Sequence, residues 1–153
     1  MPLLTKRSST RTLYNMEVLL DASAIMAIIL NEPNRHEVIK LTENTILLAP
    51  EVISFEIGNA LINLHKKQKI TEEKLISAYK KYTSIPIRII TVDVEKALKI
   101  ACMYGIFAYD AYYLEIAVRL KLPLITFDKQ MESVGLQLKI NFPDKQTQKG
   151  ETP

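Results

Sequence analysis

Two kinds of apolar pattern alternate along the chain. Short, mostly apolar runs of strand length stand at 16–20, 45–49, 87–92 and 123–127, and stretches with helical apolar spacing lie between them. Runs without polar alternation suit strands buried on both faces, as in a parallel sheet covered by helices. The pattern predicts a strand over 16–20, a helix over 22–30, and a turn at 31–34, where Pro33 disfavours helix at Glu32. A short helix over 35–41 and a second strand over 45–49 follow, then a long helix that Pro50 opens and that runs to about Lys67. Thr71 caps a helix reaching about Tyr82, and 87–92 is the third strand. Asp93 and Gly105 bracket a helix over 94–104. A helix over 109–120 and a fourth strand over 123–127 complete the series, and 136–140 suggests a fifth strand. Strands alternating with helices predict one three-layer α/β domain over 16–142 with a parallel sheet. The polar head 1–15 reads as a disordered extension and 143–153 as a frayed polar tail.

Composition adds limits. A 153-residue chain with 48% hydrophobic and 24% charged residues fits a single globular domain. No apolar run approaches the ~20 residues of a membrane span, and the N-terminus lacks the apolar core of a signal peptide. Cys102 is the only cysteine and falls in a helical apolar pattern, which suggests a buried thiol in a reducing cytoplasm. The formal net charge of +3 resides in Lys6, Arg7 and Arg11, whereas residues 16–142 hold fifteen basic and fifteen acidic side chains. Charge alone therefore does not argue for a nucleic-acid partner.

The placement of the acids says more. Asp21 follows the first strand directly, and Asp128 follows the fourth in the same way. Ligands of parallel sheets bind at the carboxyl ends of strands, yet an acid there is also an ordinary helix cap. Asp110 falls on the apolar side of its helix with Ala111, Leu114, Ala117 and Val118, or serves as a helix-end acid. Glu56 borders the stripe Ile53, Ile57, Ala60, Leu61 and Leu64, where solvated surface is the ordinary reading. The two histidines, His36 and His65, lie in polar helical surroundings, and no Gly-rich phosphate loop is present. Carboxylates packed together repel unless something neutralises them. Oxygen ligands without histidine or cysteine favour Mg²⁺ or Mn²⁺, and such a cluster suits metal-assisted phosphodiester hydrolysis. Basic residues 65–69, Lys80, Lys81 and Arg119, with Lys66 and Lys67 foremost, are candidates to hold phosphates; solvated helix surface is the ordinary alternative.

Several motifs together resemble one family. Leu20-Asp21-Ala22-Ser23 opens the series, Asn31-Glu32-Pro33 follows the first helix, and Ala49-Pro50-Glu51 leads to Glu56 and Asn59-Ala60-Leu61. Ala108-Tyr109-Asp110-Ala111-Tyr112-Tyr113-Leu114 and Leu122-Pro123-Leu124-Ile125-Thr126-Phe127-Asp128 complete it. In this order the chain resembles a PIN domain, and within that superfamily a VapC-type toxin ribonuclease. The resemblance implies a Rossmann-like sheet of about five parallel strands in the order 3-2-1-4-5. It implies an acidic pocket in which Asp21 and Asp110 ligate Mg²⁺ or Mn²⁺, with Glu56 and Asp128 completing it. Ser23 matches a hydroxyl that orients the first acid. A single-stranded RNA substrate, a homodimer and a VapB-type antitoxin partner are also implied. A PIN nuclease of RNA maturation and an RNA-binding module with little turnover are the alternatives. A haloacid dehalogenase needs a second Asp where Ser23 stands, and a receiver domain needs an acid pair before its phosphoacceptor.

Overall fold

In the computed structural model, which describes residues 16–143, the first apolar run becomes an inner strand. β1 (Met16–Leu20) lies between β2 (Thr45–Pro50) and β4 (Leu124–Ile125), and β3 (Ile87–Ile90) extends the sheet beyond β2. Every pairing is parallel, and Leu19 stands opposite both Leu48 and Leu124. Val18, Leu19, Leu20, Leu48, Ala49, Leu124 and Ile125 are buried, as strands covered on both faces must be.

The helices supply the cover. α1 (Ala22–Ile29) and α2 (Arg35–Thr42) connect β1 to β2, and α3 (Ile53–Lys66) and α4 (Glu72–Ser84) connect β2 to β3. α5 (Val94–Tyr104) and α6 (Ala108–Leu120) return the chain to β4, and α7 (Lys129–Gln137) follows it. α1 packs on α2, α3 and α4, whereas α6 packs on α5 and α7. Two helical layers on one parallel sheet result from right-handed crossovers that run first one way and then the other. The three-layer α/β domain expected from the sequence is therefore formed. Its strand order, β3-β2-β1-β4, reverses direction between β1 and β4, which opens a crevice at their carboxyl ends. Among the described residues no helix is long and apolar enough to cross a membrane.

Several details differ from the sequence reading. Residues 136–140 do not form a fifth strand, and the described sheet has four. α7 instead ends in a left-handed turn: Lys139 has φ 61°, and the Ile140 and Lys139 N–H groups donate to Gly135 O (2.9 Å) and Leu136 O (3.0 Å). This turn interrupts an extended run, so the segment meets β4 through one bond, Leu124 N–H to Asn141 O (2.9 Å). Gly135 lets the Phe142 ring fold back onto α7, since a Cβ there would lie 2.4 Å from it. Pro50 closes β2 opposite Ile90 instead of opening a helix; α3 starts at Ile53, where the Phe55 and Glu56 N–H groups donate to Val52 O. Cys102 is exposed. α5 turns Ala97, Ala101 and Tyr104 inward, which leaves Cys102 on the outer side with Leu98 and Met103. The expectations for the head, and for the tail beyond Pro143, lie outside the described residues.

An ion pair between a buried carboxylate and a more exposed guanidinium ties α6 to the end of β3. Glu115, only 2% exposed, accepts from Arg119 Nε (2.5 Å), Arg119 Nη2 (3.2 Å) and the Asp93 N–H (3.1 Å). Arg119 Nη2 also donates to Thr91 O (2.8 Å). Satisfied on both sides, the pair joins the α5–α6 layer to the sheet edge.

Candidate active site at the carboxyl ends of the strands

Asp21 begins where β1 ends. Its N–H donates to Ile125 O (3.3 Å), so β1 and β4 stay joined up to the acid. The side chain is 3% exposed. Oδ1 accepts from Ser23 Oγ (2.6 Å) and the Ala24 N–H (3.0 Å), and Oδ2 accepts from Thr126 Oγ1. The same hydroxyls reach onward: Ser23 Oγ accepts from the Phe127 N–H (2.9 Å) and Thr126 Oγ1 from the Asp128 N–H (2.9 Å). Asp128 Oδ1 then caps α7 by accepting from the Met131 N–H (2.7 Å). Asp21 and Asp128 are thus both helix caps and the two ends of one hydrogen-bonded seam across the crevice. Burial pushes the Asp21 carboxyl up to about 6, against the bonds from Ser23, Thr126 and Ala24, and the charge of Asp128 adds to the rise.

The other two acids arrive on helix N-termini. Glu56 stands in the first turn of α3 and Asp110 in the first turn of α6. The buried Tyr113 donates its hydroxyl to Glu56 Oε1 (2.8 Å). Burial raises Glu56 to about 7, opposed by the Tyr113 bond and helped by the charges of Asp21 and Asp110. Burial also raises Asp110, and the charge of Asp128 adds to it. These influences run from Asp21 to Asp128, to Asp110, to Glu56 and back to Asp21, so the four acids feel one another as a set. None of the four forms a salt bridge among the described residues. An open cavity of about 470 Å³ is walled by Glu56 and Asp110 together with Asn59, Phe55, Phe107 and Tyr109. Ala22, next to Asp21 in the chain, also lines it, whereas Asp21 and Asp128 at the strand ends do not.

This donor set fits a hard divalent cation. It offers carboxylate oxygens without sulfur or imidazole, and two of its carboxyls are raised, by burial first and by neighbouring acids second, a cost that a bound cation would offset. As placed, the described side chains gather no three Asp, Glu, His or Cys into a ready cage. Mg²⁺ does not require one, because it keeps several waters and binds through one or two carboxylates.

The remaining sequence candidates fall elsewhere. Ser23 faces inward, with its hydroxyl engaged by Asp21 and the Phe127 N–H. Lys66 and Lys67 stand at the far end of α3, at least ten residues or ~15 Å along the helix axis from Glu56. Arg119 is engaged with Glu115 and Thr91, which removes it from the phosphate-binding candidates. Three contributors escaped sequence reasoning. Thr126 had a signal, since a hydroxyl two residues before Asp128 mirrors Ser23 two residues after Asp21. Tyr113 lies one turn after Asp110 and has no role of its own in the sequence reading. Glu115 stands four residues before Arg119, the spacing of a helical ion pair, but its burial and its bond from the Asp93 N–H carried no signal because Asp93 is distant in sequence.

The chain belongs to the PIN domain family, whose model matches residues 18–136. Members of this family are nucleases that typically use divalent metals. No curated protein matches the chain. Among solved structures it is similar to PAE2754 from Pyrobaculum aerophilum, with 24% identity and a TM-score of 0.60 over 81% of this chain and 90% of that one. It is similar to VapC20 of Mycobacterium tuberculosis, a sarcin–ricin loop cleaving toxin, with 11% identity and a TM-score of 0.55 over 77% and 95% of the two chains. It is also similar to VapBC2 from Rickettsia felis, bound there to a promoter DNA fragment, with 15% identity and a TM-score of 0.55 over 78% and 93%. At these identities the likeness is one of fold.

Proposed function

We propose that this PIN domain is a metal-dependent endoribonuclease that hydrolyses single-stranded RNA, and that it is the toxin of a toxin–antitoxin pair. The observation that carries the catalytic part is the set of four mutually repelling acids, without a cationic partner among the described residues, at the switch point of the sheet. Asp21 and Asp110 would hold Mg²⁺ or Mn²⁺, with Glu56 and Asp128 completing the pocket. When bound, the cation supplies a Lewis acid for the phosphoryl oxygens and acidifies a water.

The protein's own groups would do the rest. Ser23 and Thr126 fix both Asp21 oxygens and so set the direction of their remaining lone pairs. Tyr113 holds Glu56 Oε1, which leaves Oε2 to take a proton from the attacking water. A carboxylate held by one oxygen in this way is oriented to act as a general base through the other. Attack at phosphorus with departure of the 3′ oxygen leaves a 5′-phosphate end. Lys66 and Lys67 would contact phosphates further along the strand.

The fold shared with structures described as toxins supports the toxin role and an antitoxin partner. Ile62, Ile76 and Tyr79 remain exposed on α3 and α4, surface that a second copy would cover in a homodimer. The test is cleavage of labelled single-stranded RNA with Mg²⁺ or Mn²⁺. Wild type should cut, Asp110→Asn should lose at least a hundredfold while keeping its circular dichroism, and EDTA should stop the reaction. Cleavage that persists in excess EDTA would refute the metal mechanism.

A further inference from the structure

Three aromatic side chains at the mouth of the acidic cavity stand in water. Phe55 is 76% exposed, Phe107 79% and Tyr109 53%, and all three line the cavity that Glu56 and Asp110 share. The local sequence explains the arrangement. Phe55 precedes Glu56 in the first turn of α3; Phe107 is the N-cap residue of α6, and Tyr109 precedes Asp110 in its first turn. Each helix therefore brings an acid and its aromatic neighbours to the same opening. We propose that Phe55, Phe107 and Tyr109 form a stacking rim that grips unpaired nucleobases of single-stranded RNA at the acidic cavity. The proposal rests on the ribonuclease reading and deepens it.

The chemistry of the lining favours bases over other occupants. Among the described residues no Lys, Arg or His lines the cavity, and without a cation its acids repel phosphate. In the metal-free protein, affinity at this point comes from groups that attract the uncharged part of the strand. Bases of a single strand can splay out and stack on aromatic rings, whereas those of a duplex are already stacked. A docked apolar helix would want an aliphatic groove. Among the described residues the lining instead holds no Leu, Ile, Val or Met: besides the three rings and the two acids it has only Ala22, Ala60 and the amide of Asn59. Flat rings separated by small residues make slots for planar groups. Tyr109 is also braced: its ring meets Tyr112 edge-on at 5.6 Å and 67°.

The test measures binding and cleavage separately. Anisotropy in EDTA would compare a labelled single-stranded oligoadenylate with an abasic strand of equal length and charge. Phe55→Ala and Phe107→Ala should each weaken oligoadenylate binding by about tenfold, the loss expected for one stacked base. Phe107→Trp should retain binding, and the abasic strand should bind wild type and variants alike. In Mn²⁺ the alanine variants should raise KM for RNA. Alanine variants that bind oligoadenylate as wild type does would overturn the proposal, as would an equal loss for the abasic strand. Variants that keep RNA affinity but lose self-association in light scattering would give the rim to a second copy, and the proposal falls. Cleavage with unchanged KM in the variants removes the rim alone. Base-dependent binding without cleavage by wild type removes the nuclease reading and leaves the rim standing.

Discussion

The substitution Glu56→Gln tests the acidic cluster without any RNA. The carboxyl of Glu56 is raised from 4.5 to about 7 by burial and by the charges of Asp21 and Asp110. Between those pH values the metal-free folded protein binds a proton that the unfolded chain has lost. Stability must then fall as pH rises from about 4.5 through about 7. At 1.36 kcal/mol per pH unit, the full difference would be about 3 kcal/mol. Glu56 stays partly open to water, which screens it, so about 1–2 kcal/mol is the expected size. Glutamine keeps the shape and the Oε1 acceptor for Tyr113 and removes only the charge.

In EDTA at pH 8, Glu56→Gln should therefore be more stable than wild type by about 1–2 kcal/mol, at about 2–4 °C in Tm per kcal/mol. At pH 5 the gap should be clearly smaller than at pH 8, because the folded wild type holds the proton and the unfolded chain has only begun to lose it. Most substitutions at partly buried positions act in the opposite direction, so the sign is diagnostic. Added Mn²⁺ should reverse the order. At about 100 times its dissociation constant it stabilises wild type by ~2.7 kcal/mol, and the variant should gain less. Urea titrations at both pH values, with EDTA and with Mn²⁺, provide the measurement. A variant less stable at pH 8, or a gap equal at pH 5 and pH 8, would refute the shared cluster.

Three further outcomes follow from particular contacts. Thr126→Val removes the donor to Asp21 Oδ2 and the acceptor of the Asp128 N–H; denaturant melts should show a loss of ~1–3 kcal/mol, larger at pH 8 than at pH 5 because the charged form of Asp21 loses the support. Arg119→Ala strands the buried Glu115 carboxylate, and the same melts should show a loss of about 3 kcal/mol, with no effect on the salt dependence of RNA binding. Charge reversal at Lys66 and Lys67 should weaken RNA binding and flatten its salt slope, which anisotropy across a salt series would detect; an unchanged slope would remove them from the interface.

The sheet was legible because its strands are apolar on both faces. Val18 to Leu20 and Leu124 to Ile125 leave no polar side to weigh, and the alternation with helices dictates parallel pairing. The chain end was not legible. Leu136, Leu138 and Ile140 alternate as a strand would, but the first lies in α7 and Lys139 turns left-handed. A lysine at that position carries no mark of the turn, where a glycine would have. Pro50 misled for a related reason: the φ that suits a first helical residue is also accepted at a strand end. Cys102 misled because one apolar residue is compatible with either side of a helix; the inner face of α5 is taken by Ala97, Ile100, Ala101 and Tyr104.

For the acids, sequence offered a choice between cap and site that the structure dissolves. Asp21 Oδ1 caps α1 through the Ala24 N–H, while Oδ2 is held by Thr126 across the crevice. Asp128 caps α7 through the same geometry. A strand that ends at the switch point must hand over to a helix there, and the helix N-terminus both needs an acceptor and tolerates a negative charge. The cap is thus what keeps a buried carboxylate affordable in a crevice without cations. Burial then supplies what a cap alone does not: a carboxyl raised to about 6 beside one raised to about 7. Caps on exposed helices lack that property, as Asp93 illustrates. It caps α5 with the same hydrogen bond, to the Lys96 N–H, yet this bond holds its carboxyl below the usual range. Sequence spacing makes Asp21, Asp93 and Asp128 alike. Burial is what separates them: Asp21 is 3% exposed, whereas Asp93 and Asp128 both stay open to water.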